Sequence, residues 1–123
     1  MKWTLDKSRP ICPQICEGLC VAIASGEFKA GERLLSVREV ALAAGVNPNT
    51  VQKSFEELER KGIIYSVRCS GWFVGESPEL AAETVNGLRR AKTEEYLAAM
   101  ERLGLGAKET TEYLNEYNGG KYE

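Results

Sequence analysis

The sequence predicts a mainly α-helical fold with one small β-hairpin. It reads as a winged helix-turn-helix over residues 1–75, followed by a short C-terminal helical hairpin over residues 76–123. Three observations predict it. Two capped helix starts, at Ser36 and Asn47, are separated by a glycine turn at Gly45. Two strand-like runs, Ile63 to Val67 and Trp72 to Val74, bracket Arg68-Cys69-Ser70-Gly71, a turn that ends in glycine. A third start, Ser77-Pro78, then opens a helical pattern that runs to about Leu103.

Residues 1–9 are expected to be a loose arm. From Pro10 to about Ser25, Ile11, Ile15, Leu19, Ala22 and Ile23 recur at three- and four-residue steps, the period of an amphipathic helix. Pro13 is tolerated in its first turn, and Gly26 ends it. Ser36-Val37-Arg38-Glu39 is a capping box, in which serine and glutamate each satisfy an end-of-helix amide. In the next helix Asn47 is the cap and Pro48 stands at the first position, where a missing N–H costs nothing. Val46 and Val51 occupy the staple positions around that start. Val51, Phe55 and Leu58 form the buried stripe, and Gly62 closes the helix after Lys61.

The third pattern carries Ala81, Val85, Leu88, Tyr96, Ala99 and Leu103 along one face. At about 1.5 Å per residue it would span roughly 40 Å, too long for so small a domain to cover. Gly104 and Gly106 break it, and Lys108 to Tyr117 forms a last short helix with Tyr113, Leu114 and Tyr117. Uncovered apolar surface on a helix pair usually meets a partner subunit. Val85, Leu88, Tyr96, Ala99, Leu103, Tyr113 and Leu114 are therefore the expected dimerisation residues.

Composition narrows the function. The chain has 123 residues, of which 43% are hydrophobic and 28% charged, an ordinary balance for one globular domain with a short appendage. No apolar run approaches the length of a membrane span, and no secretory leader pattern opens the chain, so the cytoplasm is the expected compartment. With no histidine the commonest general base and metal ligand are missing, and no catalytic or nucleotide-binding motif stands out. Neither an enzyme nor a cofactor or metal is expected. The net charge of −2 divides unevenly: residues 28–75 carry seven bases against five acids, and residues 76–123 six against ten. A mildly basic half suits nucleic acid, and an acidic half suits facing away from it.

The polar side chains point the same way. Asn49, Gln52 and Lys53 lie opposite the Val51/Phe55/Leu58 stripe, where asparagine and glutamine can bind adenine and lysine can reach guanine or phosphate. Asn47, Thr50 and free amides at the helix start suit a phosphate oxygen. Glu56, Glu57 and Glu59 would be repelled by a DNA backbone, so only the first half of this helix should enter the groove. Ser36 and Arg38, at the start of the preceding helix, and Arg68, Ser70 and Gly71, at the hairpin tip, complete the expected DNA-facing set.

At this point the ensemble Pro10-Ile11, Gln14-Ile15, Ser25-Gly26, Gly31, Leu34, Ser36 to Glu39, Gly45 to Val51, Leu58-Glu59, Gly62 and Gly71-Trp72-Phe73-Val74 resembles the GntR family of bacterial transcription regulators. Asn47-Pro48-Asn49-Thr50-Val51 and the short helical tail resemble its YtrA-type subfamily. Where the wider family often has arginines at the helix start, this chain has Pro48 and Gln52. Cys69 stands where glycine is common, and Trp72 where a small threonine is usual. The resemblance implies a homodimeric repressor on an inverted repeat of double-stranded DNA. The 48 residues from Glu76 to Glu123 cannot house the separate effector domain most of the family carries, and the sequence names no effector.

Two other readings remain. A winged helix can serve as a protein-interaction module. Alternatively Cys12, Cys16 and Cys20, spaced four apart on one helix face, with Cys69 at the wing, could form a metal or redox sensor. The simpler role for those cysteines is as small hydrophobes beside the core.

Overall fold

The computed structural model describes residues 1–121 and contains five helices and two strands. Helix α1 spans Ile11–Ala24, α2 Val37–Ala44 and α3 Pro48–Arg60. Strands β1 (Ile64–Val67) and β2 (Gly71–Val74) pair antiparallel, with Ile64 opposite Val74 and Val67 opposite Gly71. Helix α4 (Glu79–Arg102) and helix α5 (Ala107–Asn118) follow. The chain divides into two compact units, Met1–Val85 and the part from Asn86 onward.

The first unit is built around α3, which packs on α1, α2 and β1. Val51, Phe55 and Leu58 are buried as their spacing predicts, against Ile15, Leu19 and Ile23 of α1 and Val40 and Ala41 of α2. The hairpin closes one side with Ile63, Ile64 and Val74. Arg33 pairs with Phe73, and Leu34 N–H donates to the Trp72 carbonyl, so the loop before α2 adds a short third rung to the sheet. Trp72 meets Phe55 edge-to-face with centroids 5.4 Å apart. Its large ring therefore binds the hairpin to α3 by a contact that a threonine could not make. Ala81 and Val85 finish this core, so the unit extends past the end of the hairpin into α4.

Residues 1–9 do not form the loose arm expected of them. Trp3 and Leu5 pack against the core, and the Trp3 ring lies so close on α1 that a Cβ at Gly18 would fall 2.5 Å from Cζ3. Gln14 latches the arm: its Oε1 accepts from Asp6 N–H at 2.8 Å, and its Nε2 donates to the carbonyls of Asp6 (2.9 Å) and Pro10 (3.0 Å). Asp6 in turn accepts from the amide and hydroxyl of Ser8 and from Arg9 Nε. A sequence of nine residues with little apolar periodicity hides such an arrangement, because one buried glutamine outside the arm supplies it.

In the second unit Thr110 is the one buried residue among those described. Leu103 is 79% exposed, and Tyr96, Leu114 and Tyr117 are also exposed. Val85 corrects the expected partner-facing stripe. It is 5% exposed within the core of the first unit and is not available to a partner.

Candidate nucleic-acid interface

Local chemistry sets the recognition helix at a defined angle. Both hydrogen bonds of the capping box at α2 form: Ser36 Oγ accepts from Glu39 N–H, and Ser36 N–H donates to Glu39 Oε1, each at 3.0 Å. The backbone bond from Ser36, then its side chain, holds the Glu39 carboxyl below its ordinary pKa. Gly45 ends α2 with φ 69°, a left-handed cap that side chains with a Cβ disfavour, and its N–H returns to the Ala41 carbonyl. Asn47 then caps α3 by accepting from Asn49 N–H at 2.8 Å.

One sequence expectation fails here. The helix start was expected to offer free amides to a phosphate, but Pro48 has none, and those of Asn49 and Thr50 are taken by the Asn47 side chain and carbonyl. What remains for an anion at that end is the Asn47 amide group and the Thr50 hydroxyl.

The outward face of α3 is open. Asn49, Gln52 and Lys53 are exposed, and their side chains make no hydrogen bond or ion pair among the described residues. Thr50 is half-buried beside them. Farther along, Glu57 pairs with Arg60, and Glu59 accepts from the amide and hydroxyl of Ser66 at 3.3 and 2.9 Å. Glu59 thus ties β1 of the wing back to α3. The expectation that the acidic second half faces away from DNA finds this structural use for two of its glutamates.

The structure places Arg38 exposed on α2, and Arg68 and Ser70 exposed at the wing tip. Gly71 begins β2, where the Arg33 guanidinium lies against it: a Cβ there would sit 3.4 Å from Arg33 Nε. Sequence pattern alone does not single out Arg33. Its signal was only a base between a glycine turn and a buried leucine, and it stands near Glu39, whose acidity it assists. Cys69 adopts φ 67°, a left-handed turn conformation in which glycine would be unstrained. The stacked pair Tyr65 and Phe73 stiffens the wing between tip and core.

The remaining cysteines line the α1–α3 seam. Ser54 Oγ lies 3.1 Å from the Cys12 carbonyl, 3.0 Å from the Thr50 carbonyl and 3.3 Å from Cys12 Sγ, and Cys16 Sγ reaches the Ser54 carbonyl. Burial, aided by the neighbouring Cys12, pushes the Cys16 thiol up to about 12, and burial also raises that of Cys20. Thiols so shifted stay protonated at neutral pH, the opposite of what a nucleophilic or metal-binding sulfur needs. Among the described residues no three His, Cys, Asp or Glu side chains converge as a metal site would require. No described helix is long and apolar enough to cross a membrane.

A helix-turn-helix with an open polar face on its second helix, flanked by a two-stranded wing, defines a DNA-binding transcriptional regulator. The chain belongs to the gntR family of bacterial regulatory proteins, whose model matches residues 13–74. An uncharacterized regulator of Bacillus subtilis, YhcF, is 35% identical over 94% of this chain and 95% of its own length. The repressor YtrA of the same organism is 43% identical over 57% of this chain and 54% of its own. A GntR family regulator from Listeria monocytogenes superposes with a TM-score of 0.80 at 34% identity, over 91% of this chain and 98% of that one. The DNA-binding domain of AraR, solved in complex with an operator, superposes at 0.53 with 25% identity over 61% of this chain and 94% of that domain.

Proposed function

We propose that this protein is a repressor that binds a palindromic operator as a homodimer, on the chromosome in the cytoplasm. The observation that carries the reading is the unpartnered trio Asn49, Gln52 and Lys53 at the start of α3, held at a defined angle between the capped turn and the wing. In the assigned roles Asn49 and Gln52 read base edges in the major groove, and Lys53 and Arg38 reach base or phosphate. Ser36, Asn47 and Thr50 position the backbone, while Arg68, Ser70 and Gly71 enter the adjacent minor groove. The DNA-facing surface lies within residues 1–75, and the dimer seam lies within 76–123. The exposed Tyr96, Leu103 and Leu114 support the second assignment, together with Leu88 and Ala99 of α4 and Tyr113 of α5. Two-fold symmetry requires half-sites about one helical turn apart or a multiple of it. Repression is supported by the similarity to YtrA, which is described as a repressor.

The test is selection of the full chain on a random duplex library at near-physiological salt. An enriched inverted repeat is the expected result. Enrichment of a single unrepeated site would remove the dimer from the reading, and no enrichment at all would remove sequence-specific recognition.

A further inference from the structure

We infer that the folded N-terminal arm is a DNA-backbone contact, in which Gln14 is the positioning residue and Lys7 supplies the charge to an operator phosphate. The inference rests on the DNA-binding reading above and adds to it a surface that lies outside the helix-turn-helix and the wing. Lys7 Nζ donates to the carbonyl of Gly45 at 3.1 Å, thirty-eight residues away in sequence. Gly45 is the turn immediately before the recognition helix, and with Arg38 and Pro48 it lines one shallow surface depression. The arm therefore delivers an ammonium to the place where α2 hands over to α3. One of its three N–H donors is anchored on the carbonyl, and two remain for an oxygen anion.

Charge at this point matters because the helix start offers only the neutral Asn47 amide and Thr50 hydroxyl, not the backbone N–H groups of Asn49 and Thr50. The α3 amides that could have met a phosphate are used internally, so a cation from outside the motif takes over that task. Lys7 is exposed and has no carboxylate partner among the described residues, whereas Arg9, the other base of this turn, is paired with Asp6. The position of Lys7 depends on Gln14, which is almost wholly buried and hydrogen-bonds the backbone of Asp6 on both sides. Trp3 against Gly18 fastens the far end of the arm. Ordering the arm before DNA arrives removes a cost that a disordered basic tail would meet on binding.

The experiment measures affinity of the full chain for its selected operator duplex across a range of salt concentrations. It compares the unaltered protein with Lys7→Ala, Lys7→Arg, Gln14→Ala and the Lys7→Ala/Gln14→Ala pair. Lys7→Ala should make the plot of log affinity against log salt shallower by about one unit per protomer, with weakening that does not depend on sequence. Lys7→Arg should keep the slope. Gln14→Ala should match Lys7→Ala, and the pair should lose no more slope than either alone. An unchanged slope in Lys7→Ala, whose exposed side chain leaves the fold intact, would overturn the inference while leaving DNA binding in place. A Gln14→Ala protein that weakens at constant slope would reduce Gln14 to a structural role and overturn the positioning claim. Failure of the unaltered protein to bind any duplex would overturn the function reading itself.

Discussion

The part of the chain up to Val85 holds a sealed apolar core, though Val21, Leu42 and Val67 stay outside it, whereas the described residues from Asn86 onward hold none. In the first, Ile15, Leu19, Val51, Phe55, Leu58 and Val74 are sealed from water, and Asn49, Gln52 and Lys53 stand exposed on the outward face of α3. In the second, Tyr96 of α4, Leu103 just after it, and Tyr113, Leu114 and Tyr117 of α5 are exposed, and one threonine is buried among the described residues. In the proposed reading, the outward polar face of α3 meets DNA, and the exposed Tyr96, Leu103 and Leu114 are what a second protomer would cover.

The comparison can be broken most forcefully at Phe55. Phe55→Ala removes the ring that joins α3 to the wing tryptophan and should cost about 3–5 kcal/mol, read as a loss of the cooperative urea transition. Leu103→Asp combined with Leu114→Asp should leave that transition in place, yet sedimentation should show a monomer. Its operator affinity should drop by about a hundredfold or more, because the second half-site is no longer tethered. If the doubly substituted protein stays dimeric, the second unit is not the seam.

Smaller effects sharpen the first half of the contrast. Asn49→Ala should weaken operator binding by about 1–3 kcal/mol and relax preference at one base pair, measured by competition against single-base variants. Cys69→Gly should raise the unfolding midpoint, since it relieves a left-handed non-glycine turn worth about 1 kcal/mol. The smallest effect is one of pH. The Glu39 pKa is lowered by folding, so the capping box contributes above the ordinary glutamate range. That contribution disappears as pH falls through the lowered folded value. Amide exchange at the first turn of α2 should accelerate there before the core opens. Labelling offers a further check on the cysteines: iodoacetamide at pH 8 should modify exposed Cys69 well before Cys16 or Cys20 in the folded protein.

Much of this was legible in the chain because the signals were local. The Ser36–Glu39 box, the Asn47-Pro48 start and the three-to-four spacing of Val51, Phe55 and Leu58 each act within one or two helical turns. The helix starts and stops they imply match those observed to within a residue or two. The candidate surface was half legible. Exposure of Asn49, Gln52 and Lys53 follows from helix period alone, but the closure of the α3 amides depended on which oxygen each N–H found. Lys7 and Arg33 escaped notice because each meets its neighbour across a long stretch of sequence.

The sequence by itself determined which residues form helices, where those helices stop, and which face of α3 is apolar, since capping chemistry and side-chain period are properties of neighbours along the chain. Only the tertiary structure decided that nine unpromising residues fold back on Gln14, that Val85 belongs to the first core, and that Trp72 locks the wing onto Phe55. Those outcomes depend on which surfaces are left over when the helices pack, and a buried amide or ring is satisfied by whatever the fold brings within reach.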